Sequence, residues 1–380
     1  MALRWIVLST FWGWLQAQRY CPADKQFLHL SHPPFHRYEL TQETLWVPVV
    51  FHVIVPDSAK IIPYSRLVRQ IEILNRDYAA SRIQFYLPRY GPGGVATCGV
   101  TWMLSPLGNH DWTVEEDTLK KSRYWPPDSF LNIWIVHSMP MQVIGYARSL
   151  DDPESLPGVV LVSYVVGEGP GTQYPYHKGR TAVHEVGHVF SLLHPFEGGC
   201  RGTTPATCAI EGDQICDTPP QRDAAYDCPS VPPNTCTETP TDQPDPVYNF
   251  MGYADDSCMT HFTPLQILRM RTFLTGRGAS LISSTNHQQR GGPATSTQCA
   301  NLLFVAQPSR PAPRLVLHSH AYHIEGVTPH RILLYDWTGR CLLEQVGASS
   351  LSLHEIPQGS FILGVETESG EILFFRILRL

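Results

Sequence analysis

Charge is scarce in this chain: only 16% of its 380 residues are Asp, Glu, Lys or Arg, and the formal balance is −6. No stretch clusters Lys and Arg, so the footprint needed to bind a phosphate backbone is missing and nothing points to a nucleic-acid partner. Ten cysteines are present, yet no two are spaced as Cys-x-x-Cys. That spacing argues against a zinc ribbon and for disulfides. Beyond Leu15 no apolar run approaches the roughly 20 residues that span a bilayer as a helix. What remains is a chain with 43% hydrophobic residues, long enough for one large core and a small accessory domain.

Residues Met1 to Arg4 give a basic start, and the apolar run Trp5 to Leu15 is too short to span a membrane. Together they read as a signal peptide over residues 1–17, cleaved after Ala17. Residues 18–44 are rich in Pro and His and lack periodicity, as in a short exposed pro-segment. Six cysteines, Cys200, Cys208, Cys216, Cys228, Cys236 and Cys258, fall in one Pro-rich stretch that has little means of building helix or sheet ladders. Covalent ties suit it, and an exported protein keeps them.

The densest chemistry lies in Gly179-Arg-Thr-Ala-Val-His184-Glu185-Val-Gly-His188-Val-Phe-Ser-Leu-Leu-His194. Residues four apart share a helix face, so His184 and His188 can present two imidazoles to one zinc ion. Glu185 sits where a carboxylate reaches the attacking water without becoming a ligand, the place of a general base. A third ligand leaves one tetrahedral position open, and His194 is the candidate. Six residues further along a continuous helix it would point about 120° away from the metal face. The helix is therefore expected to end near Ser191 and bend, with Pro195 preventing its resumption.

Around this motif, Val47–Val55 reads as a strand buried on both faces, Leu67, Ile71 and Leu74 mark a helix, and four or five further strands precede the histidines. Pro264 opens a later helix. The expected class is α+β: a twisted mixed sheet backed by helices, an active-site helix and a disulfide-tied irregular subdomain over residues 45–275. Gly276 to residue 312 reads as a linker. Short strands over residues 313–380 read as a small C-terminal β-sandwich, with a carbohydrate-binding or adhesive module as the other reading of that domain.

From about Val47 to Met270 the chain resembles the pappalysin/cytophagalysin family of metzincin zinc endopeptidases. The resemblance rests on Leu74-Asn-Arg-Asp-Tyr78, Trp125-Pro-Pro-Asp with Leu131-Asn-Ile-Trp134, the extended histidine motif, Asp217-Thr-Pro219, and Asn249-Phe-Met251-Gly-Tyr253 followed by Asp255-Asp-Ser-Cys258. It implies that His184, His188 and His194 bind zinc, that Glu185 is the base, that Met251 forms the thioether floor of a Met-turn, and that Tyr253 steadies the oxyanion. It also implies pairs Cys200–Cys236 and Cys228–Cys258, leaving Cys208 with Cys216, and a structural calcium for which Asp213, Asp217 and Thr218 offer oxygens. The family usually has glycine where this chain has Ser191. Cys21, behind Arg19 and Tyr20, resembles the cysteine switch of short leaders and would ligate zinc in a latent form; a disulfide to Cys98 is the alternative. Tyr335-Asp-Trp-Thr-Gly339 and Pro357-Gln-Gly-Ser-Phe-Ile-Leu363 resemble the sorting domain of type IX secretion substrates.

The combined expectation is a zinc endopeptidase made as a zymogen. It acts on proteins or peptides, passes through the periplasm, and is secreted or surface-attached by secretion machinery that reads the last domain. The rival is a catalytically silent surface-binding protein on the same scaffold.

Overall fold

The structure, a computed structural model, describes residues 43–95, 97–152 and 156–293, and most of 314–379. Its first body is built on β1 (Leu45–Val55), whose β-branched run is buried along almost its whole length. Such a strand has to lie inside a sheet covered on both faces. It runs parallel to β2 (Ile83–Tyr86) and β3 (Val100–Leu104) along one edge and to β4 (Leu131–Val136) along the other. β6 (Gly158–Val162) continues the sheet in parallel. β5 (Gly145–Arg148) closes it as the only antiparallel member, in the order β2-β1-β4-β6-β5 with β3 also on β1.

Helix α1 (Tyr64–Asp77) crosses from β1 to β2 and buries Leu67, Ile71 and Leu74 as their spacing predicts, together with Ile73. The short α2 (Glu116–Ser122), absent from the sequence reading, buries only Leu119 and Lys120. Helix α3 (Arg180–Val189) packs on β5 and β6, and α4 (Pro264–Thr275) starts at its proline behind a Thr263–Gln266 capping box. One apolar cluster runs from Leu45 to Leu281 through all these elements.

Residues 276–293 differ from the linker read there. They hold α5 (Ser284–Arg290), and Leu281 joins the main core. The Arg290 guanidinium donates to the Gly91 carbonyl (2.7 Å), while the Arg290 carbonyl accepts from the Arg89 amide (2.9 Å). The Gly, Ser, Thr and Gln composition that suggested a linker instead supplies caps: Ser283 takes the Asn286 amide and Gly291 ends the helix at positive φ.

Beyond residue 313 the described strands β7 (Arg314–His318), β8 (Ala321–Glu325), β9 (Pro329–Tyr335), β10 (Cys341–Val346), β11 (Ser350–Ser352), β12 (Gly359–Thr367) and β13 (Ile372–Arg379) are all antiparallel. They form sheets of order β10-β9-β12-β13 and β11-β8-β7. Ile324 and Leu351 from the second sheet share one apolar cluster with Ile332, Leu334, Leu363 and Ile377 from the first. Residues 336–340, which carry most of the Tyr335-Asp-Trp-Thr-Gly339 motif, lie outside the described residues.

Candidate metal centre

The segment that carries the histidines is held at both ends before any metal is considered. Helix α3 starts after Gly179, in the left-handed region, with no side-chain cap of its own. Asp256 supplies one from far along the chain: its Oδ2 accepts from the amides of Lys178 (2.8 Å) and Arg180 (3.2 Å). A carboxylate at a helix N-terminus satisfies orphan amides and complements the dipole. Arg180 donates to Asp77 Oδ2 (3.0 Å) and to the Asp256 carbonyl, and Tyr78 donates to the Val183 carbonyl (2.9 Å). The separate sequence motifs around Asp77, Arg180 and Asp256 thus meet at one end of one helix.

The other end explains the bend. Phe190 is the last half-helical residue, and Ser191 sits at φ 72°. The Ser191 amide donates to the His188 carbonyl (2.9 Å) and the Leu192 amide to the Gly187 carbonyl (3.0 Å). This is the paired bonding of a Schellman stop, with serine in the place glycine usually takes. The stop leaves the Leu192 carbonyl facing back, where it accepts from His188 Nδ1 (2.8 Å). His184 Nδ1 likewise donates to the Phe250 carbonyl (2.9 Å). Carbonyls only accept, so both rings carry their proton on Nδ1 and turn a bare Nε2 inward.

His194 then comes back to the helix. His188 Nε2 lies 3.0 Å from Nε2 of His184 and 3.0 Å from Nε2 of His194, and all three residues are buried. The lone pairs fixed on His184 and His188 converge on a point with no proton between them, an arrangement that a cation relieves and that no ordinary core would choose. The donor set therefore fits a metal of the zinc type.

Two glycines define the space around the three rings. A Cβ on Gly187 would fall 2.5 Å from the Met251 sulfur, so only glycine lets that thioether pack beneath the helix. Met251 is wholly buried, and its amide donates to Asn249 Oδ1 (2.9 Å), which Gln266 of the α4 cap holds in turn (3.0 Å). A Cβ on Gly145 of β5 would fall 3.0 Å from Glu185 Oε1. Glu185, fully buried, therefore presses against the backbone of the edge strand. Tyr253 packs its ring 5.6 Å from His184, 5.0 Å from His194 and 4.9 Å from Phe196. No sequence pattern marks Gly145, and Gly187 and Asp256, though inside the histidine and Asp255-Asp-Ser-Cys258 motifs, take their roles from distant contacts with Met251 and with the start of α3.

The three disulfides Cys200–Cys236, Cys208–Cys216 and Cys228–Cys258 are formed, with Cα separations of 5.4, 4.9 and 5.7 Å. Asp213 and Thr218, five positions apart, are both buried, and the Ile215 amide donates to Asp213 Oδ1 (3.0 Å). Burial pushes the Asp213 carboxyl up to about 7. Asp217 is placed differently: its two oxygens accept from Thr263 Oγ1 (2.6 Å) and the Leu265 amide (2.8 Å) at the start of α4. Cys21 lies outside the described residues, and Cys98 is half-buried, its carbonyl accepting from the Tyr64 hydroxyl (3.3 Å).

This sheet, the helix with its bent end and the three-histidine cluster define a metzincin-like metallopeptidase. A profile of the peptidase M43 family, described as pregnancy-associated plasma protein-A, matches residues 114–275. An extracellular metalloprotease of Pyricularia oryzae is 33% identical over 236 residues, 60% of this chain and 75% of that protein. One of Colletotrichum graminicola is 34% identical over 245 residues, 62% and 78% of the two chains. Among solved structures, mature mirolysin of Tannerella forsythia in complex with a cleaved peptide superposes with TM-score 0.55 at 30% identity. It covers 65% of this chain and 98% of its own. A second mirolysin structure gives 0.57 at 29%. The chain belongs to the M43, or pappalysin, family of peptidases.

Proposed function

We propose that the protein is a secreted zinc-dependent endopeptidase in which His184, His188 and His194 hold the metal, Glu185 is the general base and Tyr253 the oxyanion donor. The observation that carries this is the convergence of three Nε2 atoms beside a buried carboxylate that faces an edge strand. Zinc, when bound, lowers the pKa of water and polarises the scissile carbonyl.

The chain's own residues do the rest. Glu185 takes a proton from the attacking water onto its carboxylate and afterwards delivers it to the leaving amine nitrogen. The Tyr253 phenol donates to the oxygen that gains negative charge as the carbonyl is attacked. Met251 and the Phe250 and Leu192 carbonyls fix the imidazoles so that neither ring rotates during turnover. Strand β5 offers the substrate a template. The Val162 amide bonds the Ile144 carbonyl, and in an antiparallel ladder such bonding alternates, so the backbone groups of Gly145 and Ala147 point to the open edge. An extended peptide adds there as a further strand, passing Glu185.

The remaining parts of the reading are domain assignments. Residues 1–17 act as signal peptide, residues 18–44 as a pro-segment with Cys21 on the zinc of the latent form, and the catalytic domain runs from 45 to about 293. The sheets beyond residue 313 form a β-sandwich that addresses the protein to secretion machinery by way of the periplasm. Calcium, if it binds, takes Asp213 and Thr218, with Asp217 engaged on α4 instead.

A fluorogenic peptide assay on the mature chain with and without a zinc chelator tests the central claim. Cleavage that stops with chelator and returns with zinc supports it. Stoichiometric zinc without cleavage of any peptide or protein would leave a silent binding scaffold.

A further inference from the structure

We propose that Lys120 is a positioning residue for the edge strand. From the face of the sheet opposite the histidines, its ammonium ties α2, β5 and the β5–β6 connection together and so sets the gap between Gly145 and Glu185. The geometry stands alone, but its consequence for turnover rests on the peptidase reading above.

Strand β5 sends two kinds of side chain to its two faces. Toward α3 go Gly145 and Ala147, too short to grip anything. Gly145 already sits so close that a Cβ there would lie 3.0 Å from each of Glu185 Oε1, Leu161 Cδ2 and Thr181 Cγ2. Toward the far face go Tyr146 and Arg148, and both end in the same cluster. Arg148 grips Glu116 of α2 through Nε (3.1 Å) and a terminal nitrogen (2.9 Å). The Tyr146 hydroxyl meets His110 Nε2 at 2.9 Å.

Lys120 joins these parts. Its side chain is 0% exposed, and Nζ donates to Glu116 Oε1 (2.7 Å) and to the Leu156 carbonyl in the connection to β6 (2.8 Å). The same ammonium lies 5.4 Å from the ring centre of Tyr146 and 5.5 Å from that of Trp134. Helix α2 buries only this lysine and Leu119, so gripping β5 from behind is most of what it does.

A buried ammonium is an expensive way to fill space. Burial lowers this lysine to about 8, and an apolar side chain of similar volume is often neutral or stabilising in such a place. What an apolar side chain lacks is a fixed reach: it leaves the Leu156 carbonyl without its donor and Glu116 held from one side only. Within β5 the near face presents nothing longer than a methyl, and the next tie on that face is the Ser149 hydroxyl just past the strand, which donates to the Val189 carbonyl (3.3 Å). A movement of β5 therefore reaches the substrate edge directly, while the zinc ligands, carried by α3 and its bend, stay in place.

The test is Lys120→Met, with Glu116→Gln as a milder second variant in case the first does not fold. Two substrates are used: a peptide of about eight residues, long enough to lie along β5, and a capped one of about three residues. In Lys120→Met we expect KM for the long peptide to rise about ten-fold with kcat and zinc content little changed, the short substrate to change less than about two-fold, and Glu116→Gln to move the same way by less. Hydrogen exchange over residues 143–150 should quicken while that over 180–194 does not. Equal losses on both substrates, or unchanged exchange over 143–150, would overturn the proposal. Should the wild-type chain cleave neither peptide, the peptidase reading is what fails, and the exchange measurement alone decides whether Lys120 holds β5.

Discussion

The protein buries histidines on both sides of one sheet, and the two sets behave differently. On the far face, the strand registers align Thr101, His52, Trp134, Val160 and Tyr146 in one row across β3, β1, β4, β6 and β5. His52 is satisfied by Thr101 of that row and by Asn132, two residues before Trp134: Nδ1 meets Thr101 Oγ1 (2.8 Å) and Nε2 meets Asn132 Oδ1 (2.9 Å). Asn132 also exchanges bonds with the Trp125 backbone, which fixes which of its atoms faces the ring. On the near face His184 and His188 each bond a backbone carbonyl through Nδ1, and the other nitrogen of each faces another imidazole nitrogen. Burial is common to both sets. What separates His52 from His184 and His188 is the company of the second nitrogen: an amide oxygen or a hydroxyl for His52, other imidazole nitrogens for the near-face pair.

The sharpest way to break this contrast is to remove chemistry without removing metal. Glu185→Gln keeps every ligand and the packing against Gly145 but has no carboxylate to take the proton. It should retain zinc and lose turnover by about 10⁴-fold, the upper range for a general base. Metal analysis and peptide hydrolysis on the same preparation check it; near-normal hydrolysis would remove Glu185 from the mechanism. Tyr253→Phe keeps the ring packed, tilted or edge-on, among His184, His194 and Phe196. If the hydroxyl acts as an oxyanion donor, kcat falls roughly 10²–10³-fold at unchanged zinc content. An unaltered kcat makes Tyr253 packing alone.

Acid separates the far-face set by stability rather than activity. Burial lowers His52 and His110 to about 4 from an ordinary 6.5. Above pH 6.5 both are neutral folded or unfolded and contribute no pH dependence. As pH falls from about 6.5 toward about 4 the unfolded chain takes up protons that the fold refuses, so stability drops, by on the order of 3 kcal/mol for His52 at the acid end. Denaturant unfolding of chelator-treated protein between pH 7 and 4.5 measures this. His52→Gln should flatten the curve, and an equally steep curve in that variant would assign the acid loss to carboxylates instead.

How much of this could be read from the sequence depends on how local the cause was. The two helical histidines, the glutamate and the need for a bend after His188 follow from helical geometry alone, and the structure has the helix ending at Val189 with the turn at Ser191. Buried strands such as β1 were legible because a continuous β-branched run allows little else. What was not legible depends on contacts far apart in the chain. Helix α2 is short and mostly polar, and Lys120 looks like any surface lysine until Leu156 and Glu116 enclose it. Gly187 stood inside a quoted motif, but its reason is a sulfur 64 positions later, with which a Cβ at that glycine would collide. Helix α5 was hidden because cap residues and linker residues have the same composition.

The smallest expected effect concerns the bend itself. Ser191 adopts φ 72°, where a side chain with a Cβ costs about 1 kcal/mol relative to glycine. Ser191→Gly relieves that cost and, against it, gives the unfolded chain more freedom, so a net gain of about 0.5 kcal/mol is expected. It should appear as a higher denaturation midpoint at unchanged slope, with kcat and KM as in wild type, because the Leu192 carbonyl still fixes His188. Ser191→Val, branched at the atom that crowds this conformation, should move the midpoint the other way and weaken zinc retention, since His194 reaches the cluster only through this turn. A loss of stability in Ser191→Gly would mean that the serine hydroxyl contributes more to the bend than the strained backbone costs.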